Sequence, residues 1–286
     1  MQQRISYLIH LADNALILGH RNSEWCGHGP VLEQDIAMSN IALDLIGQAR
    51  MLYQHAATLI NTYEDAGAEW LLQVRGTLAP GEPVTEDSLA YLRDVTDFSN
   101  CLLVEQPNGD WAVTITRQFF MSVFQLLLYE KLQYSRDSEL AAIAAKSLKE
   151  VAYHVKWSSE WVIRLGDGTE ESRRRILKAI SELWPFTGEL FQSASWERET
   201  GVMEDVAAGA CGMEASSVAG YAVDYASLKE DWMTRVAVVF EEATLDMPAF
   251  ASWHQSGGKE GRHTEYLGYI LAEMQFLQRA YPGSEW

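Results

Sequence analysis

Cysteine is scarce in this chain: Cys26, Cys101 and Cys211 are the only three in 286 residues. An odd number, so widely separated, excludes a disulfide framework and suits a reducing compartment such as the cytoplasm. Positive charge is also short, with 22 Lys and Arg against 40 Asp and Glu, a net of −18. That balance excludes nucleic acid as a partner, because neutralising phosphates requires a cationic face. It suits a soluble protein, or one whose partner carries positive charge. Long apolar runs are missing too. The opening "MQQRISYLIHLADNALILGH" is interrupted by His10, Asp13, Asn14 and His20, so it does not read as a signal peptide, and no later run reads as a membrane span. Alternating strand patterns and fixed-period repeats are absent as well.

What is present is three-four apolar spacing over long stretches that lack turn residues. Helices are expected over 3–21, 33–60, 111–135, 137–165, 169–191, 220–247 and 262–280, with shorter pieces at 64–75, 85–95 and 197–209. The breakers fall between them, in "RNSEWCGHGP", "APGEP", "QPNGD", "GDGT" and "QSGGKEG". Ser138 and Glu139 after Asp137, and Glu170 and Glu171 after Thr169, are acidic starts that a helix N-terminus favours. The fold class is therefore all-α: a long antiparallel helix bundle with extra helices, forming a single domain over 1–286 with less regular segments near 61–97 and 192–219. Ten tryptophans are many for such a bundle. Most are expected in the core, with "WSSEW" and the terminal "SEW" as possible interface anchors.

The stretch "SLKEVAYHVKW" (147–157) sets Glu150 and His154 one helical turn apart. Asp13 on the first helix, and Asn40 and Asp44 on the second, fall at the same inward register. Buried charge must be paired or coordinated, so either a metal site or a polar network lies here. A dinuclear carboxylate centre takes one Glu from each of two helices and a Glu-x-x-His pair from each of two others. The second helix offers Asp44, but Gly47 and Gln48 follow where an imidazole is needed. Glu150 is followed at +3 by Tyr153, with His154 one place later. "WAVTITRQFFMSVFQLLLY" (111–129) contains no Asp, Glu or His. The donors fall short, so the reading is a metal-free polar network in which Glu150 and His154 pair with each other or with Asp13, Asp44, Gln48 or Tyr153. "CGH" and the single His20, His55 and His263 are too sparse for zinc.

Four stretches resemble a known family: "SEWCGHGPVLEQDIAMSNIALDLIGQAR" (23–50), "FSNCLLVEQPNGDWAVTITRQFF" (98–120), "AAIAAKSLKEVAYHVKWSSEWVIRLGDGT" (141–169) and "GGKEGRHTEYLGYILAEMQFLQR" (257–279). They resemble the C subunits of the bacterial ring 1,2-phenylacetyl-CoA epoxidase of phenylacetate degradation. The resemblance implies a ferritin-like fold related to multicomponent monooxygenases. It implies a heterodimer, within a higher assembly, with a structurally similar catalytic A subunit that carries the di-iron centre and binds the CoA thioester. A flavin and iron–sulfur reductase component supplies electrons from NADPH. On this reading the chain holds no cofactor and no catalytic residue, and Asp13, Asp44, Glu150 and His154 are the remnant of a lost metal site. Lys259 and Arg262, in "GGKEGRH", are candidates for a CoA phosphate contact against the plainer reading of a solvated loop, and a homodimer in isolation is possible. The competing expectations are an autonomous di-metal oxygenase using Asp13, Asp44, Glu150 and His154, and a ferritin-like iron-handling protein.

Overall fold

The structure is a computed structural model that describes residues 1–63, 70, 78, 81–194, 196, 220–249, 254–282 and 284. Two compact units divide the chain. One comprises residues 1–106, 194–199 and 257–286; the other comprises 107–193 and 200–256. All regular structure among the described residues is helical, apart from one isolated bridge residue at Ala222.

The first unit is built on a hairpin of α1 (Gln2–Ser23) and α2 (Leu32–Thr62). The two run antiparallel: Gly19 of α1 approaches Ala42 and Leu45 of α2, while Asp13 meets Tyr53 further along. α1 is buried nearly all round, whereas α2 buries one face, through Met38, Ile41, Leu45 and Leu52. Two short helices follow, α3 (Glu86–Tyr91) and α4 (Leu102–Glu105). α3 starts from a capping box in which Thr85 and Ser88 satisfy each other's backbone N–H. The expected piece at 85–95 is thus α3 plus a 3₁₀ turn at Val95–Asp97. Those at 64–75 and 197–209 fall almost wholly outside the described residues, as does most of the less regular segment expected near 192–219; of the one near 61–97, residues 61–63, 70, 78 and 81–97 are described.

The second unit packs the antiparallel pair α5 (Trp111–Leu132) and α6 (Ser138–Gly166) with α7 (Glu170–Thr187) and α8 (Lys229–Glu242). Asp110, Asp137 and Thr169 cap α5, α6 and α7 through side-chain oxygens that accept from the third residue on. α5 is long and apolar enough to cross a bilayer, but most of it is buried within the fold. The expectation of a helix over 220–247 needs correction. Gly220 and Tyr221 are not helical, their carbonyls accepting from Arg136 N–H and the Ser135 hydroxyl, and a 3₁₀ turn at Tyr225–Leu228 precedes α8. Asp224 caps that turn by accepting from Ala226 N–H, so local side-chain chemistry competes with helix. Around Trp232, whose indole N–H donates to the Phe120 carbonyl at 3.0 Å, an aromatic core gathers Phe120, Phe124, Trp184, Phe191 and Phe240. Trp157 and Trp161 of "WSSEW" meet Trp111 edge-on, so this motif serves internal packing. Trp286 lies outside the described residues.

The C-terminal segment returns to the first unit as α9 (Glu265–Met274) and α10 (Phe276–Ala280). The single helix expected over 262–280 breaks at Gln275. The buried amide of this residue donates to the carbonyls of Ala90 and Arg93 at 3.2 and 3.0 Å, capping the end of the α3 segment.

Candidate functional site

Asp13 is fully buried at the centre of α1, and its carboxylate is saturated. Oδ1 accepts from the Tyr53 hydroxyl and Arg93 Nη2, each at 2.5 Å; Oδ2 accepts from Arg93 Nη1 at 3.2 Å and from Ser99 N–H at 2.8 Å. The Arg93 guanidinium has no accessible surface and uses all five donors. The remaining three reach the Leu89 carbonyl, the Asp97 carbonyl and the Tyr53 oxygen. Phe98 stacks its ring over the guanidinium, 4.2 Å from the centroid. Burial works against the arginine's charge, but the adjoining Asp13 overrides it and holds the group protonated. Burial first, then the charge of Asp13, pushes the Tyr53 phenol well above its ordinary range, so it stays a neutral donor.

A second buried ion pair lies in the same unit. His263 Nδ1 is 2.9 Å from Glu105 Oε2, and Nε2 is 2.8 Å from the Phe98 carbonyl oxygen. The Phe98 carbonyl can only accept, so Nε2 donates; opposite an ionised Glu105, Nδ1 donates as well and the ring is an imidazolium. Burial opposes that charge, and the Glu105 hydrogen bond and charge raise the His263 pKa above its ordinary value. Glu105 also accepts from Asn100 Nδ2 at 3.0 Å and from Thr264 N–H at 2.7 Å. Its own backbone carbonyl takes two donors from Arg21. Between the pairs, His10 Nδ1 donates to the Ser99 carbonyl, and Nε2 accepts from Asn14, which in turn accepts from Cys101 N–H. Burial, with Lys259 nearby, lowers the His10 pKa to about 3, so this ring is neutral. The network thus fastens the segment 98–106 between α1 and the C-terminal segment.

Glycines permit the close approach. A Cβ on Gly258 would lie 2.2 Å from the Asn100 carbonyl oxygen, and Gly261 turns at φ +72°, a left-handed conformation that disfavours a side chain. Gly258→Ala is expected to cost at least ~1–3 kcal/mol through this overpacking, read as a lowered urea midpoint at unchanged slope.

Of the anticipated remnant residues, Asp13 and Asp44 belong to the first unit and Glu150 and His154 to the second. Asp13 is paired with Arg93, a residue that no sequence signal singles out. Asn40 is exposed, a correction to its inward assignment; Asp44 and Glu150 are half-buried, and His154 is fully buried. In the second unit, burial and then the charge of Glu150 raise the pKa of Tyr129 on α5. The buried polar stripe of α5 is Thr114, Gln118, Ser122, Gln125 and Tyr129, with the Gln118 amide donating to Ser122 at 2.8 Å. Hydroxyls and amides stand where hard cations need carboxylates. Among the described residues no group of three or more His, Cys, Asp or Glu is placed to hold a metal ion. A di-iron centre does not fit this donor set: the Asp13 oxygens are occupied, and a guanidinium lies against them. Lys259 is only 4% exposed, a correction to the reading of "GGKEGRH" as solvated and an obstacle to its meeting a phosphate; Arg262 is exposed.

Long helices packed around buried polar networks define a ferritin-like helical protein. The chain belongs to the family described as "Phenylacetic acid catabolic protein", which it matches over residues 1–286. It is similar to the C subunit of the 1,2-phenylacetyl-CoA epoxidase of Escherichia coli (strain K12), with 42% identity over 286 residues and the full length of both chains covered.

Proposed function

We propose that this chain is the structural, non-catalytic component of a phenylacetyl-CoA ring epoxidase in the cytoplasm. It pairs with a catalytic A subunit that carries the di-iron centre and receives electrons from a reductase component. The full-length similarity to the C subunit of the E. coli epoxidase supports the assignment to such a complex. The observation that carries the non-catalytic role is Asp13: its carboxylate is neutralised by Arg93 and saturated by Tyr53 and Ser99, so it has no capacity left for a hard cation. What this chain's own residues do is hold a rigid bundle. The Asp13–Arg93 and Glu105–His263 pairs fix the chain segments that a partner would require in one arrangement.

Co-expression of the two subunits, followed by gel filtration at micromolar concentration and iron analysis of each separated chain, tests the reading. The expected result is one co-eluting species with iron on the catalytic partner alone. A stoichiometric pair of irons on this chain, or separate elution, overturns it.

A further inference from the structure

Among the described residues, the outer face of α2 carries an exposed apolar seam. Leu32 is 72% exposed, Ile36 52% and Leu43 66%, and Val31 just before them is 54% exposed. With Asn40, exposed, and Gly47, half-buried, they form the series 32, 36, 40, 43, 47, the three-four spacing of a helix that packs against another helix. The opposite face of α2 is already occupied by its buried residues Met38, Ile41, Leu45 and Leu52, so the exposed series is a second, separate apolar face. Gly47 is independent support. It lies mid-helix, where glycine is disfavoured relative to alanine, and a Cβ built there meets nothing within 4 Å. No described residue crowds that position, whereas a closely approaching second backbone would account for the missing side chain.

Asn40 stands at the middle of the series, with Leu32 and Ile36 on one side and Leu43 and Gly47 on the other. An antiparallel helix of the same pattern would set a large residue opposite Gly47, apolar residues opposite Ile36 and Leu43, and an amide beside Asn40. A second copy of this chain supplies that pattern, but it would bring Glu33 beside Asp44 of the other copy at both ends of the contact and double a net charge of −18. The seam's exposed side chains amount to roughly 400 Å² of apolar surface, about half of what one partner contributes to a standard interface of about 800 Å² a side. That is the size of an interface core, with Glu33, Asp44 and Arg50 as its polar rim.

We infer that this face of α2 receives an amphipathic helix of the catalytic partner, with basic residues set against Glu33 and Asp44. The inference rests on the function proposed above and names the surface that would serve it. The test measures binding of the catalytic partner to the full-length chain and to Ile36→Asp, Leu43→Asp and Gly47→Trp, with Val238→Asp on exposed α8 as the control. Far-UV circular dichroism and thermal midpoints confirm that each variant is folded. The expected result is an affinity loss of about 30-fold or more for each seam variant, as for truncated hot spots, with the control unchanged. Seam variants that bind like the wild type overturn the inference and leave the proposed function standing. A wild-type chain that fails to bind the catalytic partner overturns the proposed function itself. If Leu43→Asp converts a self-associating chain to monomer yet still binds the catalytic partner, the seam belongs to a second copy, and the inference is overturned.

Discussion

Arg93→Met is expected to cost about 3–5 kcal/mol, the penalty for leaving one member of a buried ion pair without its counter-charge. Asp13 would retain Tyr53 and Ser99 as donors but lose the only cation in contact with it among the described residues, in a site without solvent. Folded proteins hold only ~5–15 kcal/mol in total, so this is a large share. The double variant Asp13→Asn with Arg93→Met should recover most of the loss, because the amide oxygen still accepts from Ser99 N–H, the amide NH2 donates to the Tyr53 oxygen in place of the bond that Tyr53 gave, and no bare charge remains. Urea unfolding of the four-member cycle gives the coupling directly. If Arg93→Met alone cost less than ~1 kcal/mol, Asp13 would not depend on the pair, and the proposed non-catalytic role would lose the observation that carries it.

The second large effect is a fall in stability on the acid side of neutrality. His10 is neutral in the folded chain down to about pH 3, and burial lowers His20, near the end of α1, to about 4. An unfolded histidine takes up its proton near pH ~6.5. The stabilisation from both is therefore complete above about pH 6.5 and falls with pH, since the unfolded chain binds protons that the folded chain refuses. Each group contributes up to ~1.4 kcal/mol per pH unit. His263 has the opposite sign. Its folded pKa is raised, so its contribution is complete below the unfolded value and is lost as pH rises through the folded one. Stability should peak near neutrality and fall on both sides. His10→Gln, which keeps a donor for the Ser99 carbonyl, should remove one proton's worth of the acid slope between about pH 6.5 and 4.5. A wild-type chain whose urea midpoint stayed flat over that interval would contradict the neutral, buried state of His10.

Apolar spacing and breaker positions determined the helical class and the approximate span of the long helices, because those signals are local: a three-four stripe needs only its own residues to be read. The same locality placed Asp137 and Thr169 at helix starts. Inventory alone also showed that α5 has no acidic or imidazole side chain to offer over its first nineteen residues, "WAVTITRQFFMSVFQLLLY", and no packing could change that. Tertiary structure decided which polar groups meet. Asp13 could be read as inward-facing, but Arg93 lies 80 residues away, in the short helical piece expected over 85–95, and only folding shows that the two cancel. His263 reads as an isolated histidine until the chain brings "GGKEGRH" against "FSNCLLVE", where Glu105 and the Phe98 carbonyl force both its nitrogens to donate. Lys259 is the converse case: a loop lysine rich in polar neighbours reads as solvated, yet the closeness that Gly258 allows draws it inside. Pairings between residues distant in sequence leave no periodic trace, so the sequence could count the donors but could not say which of them were already engaged.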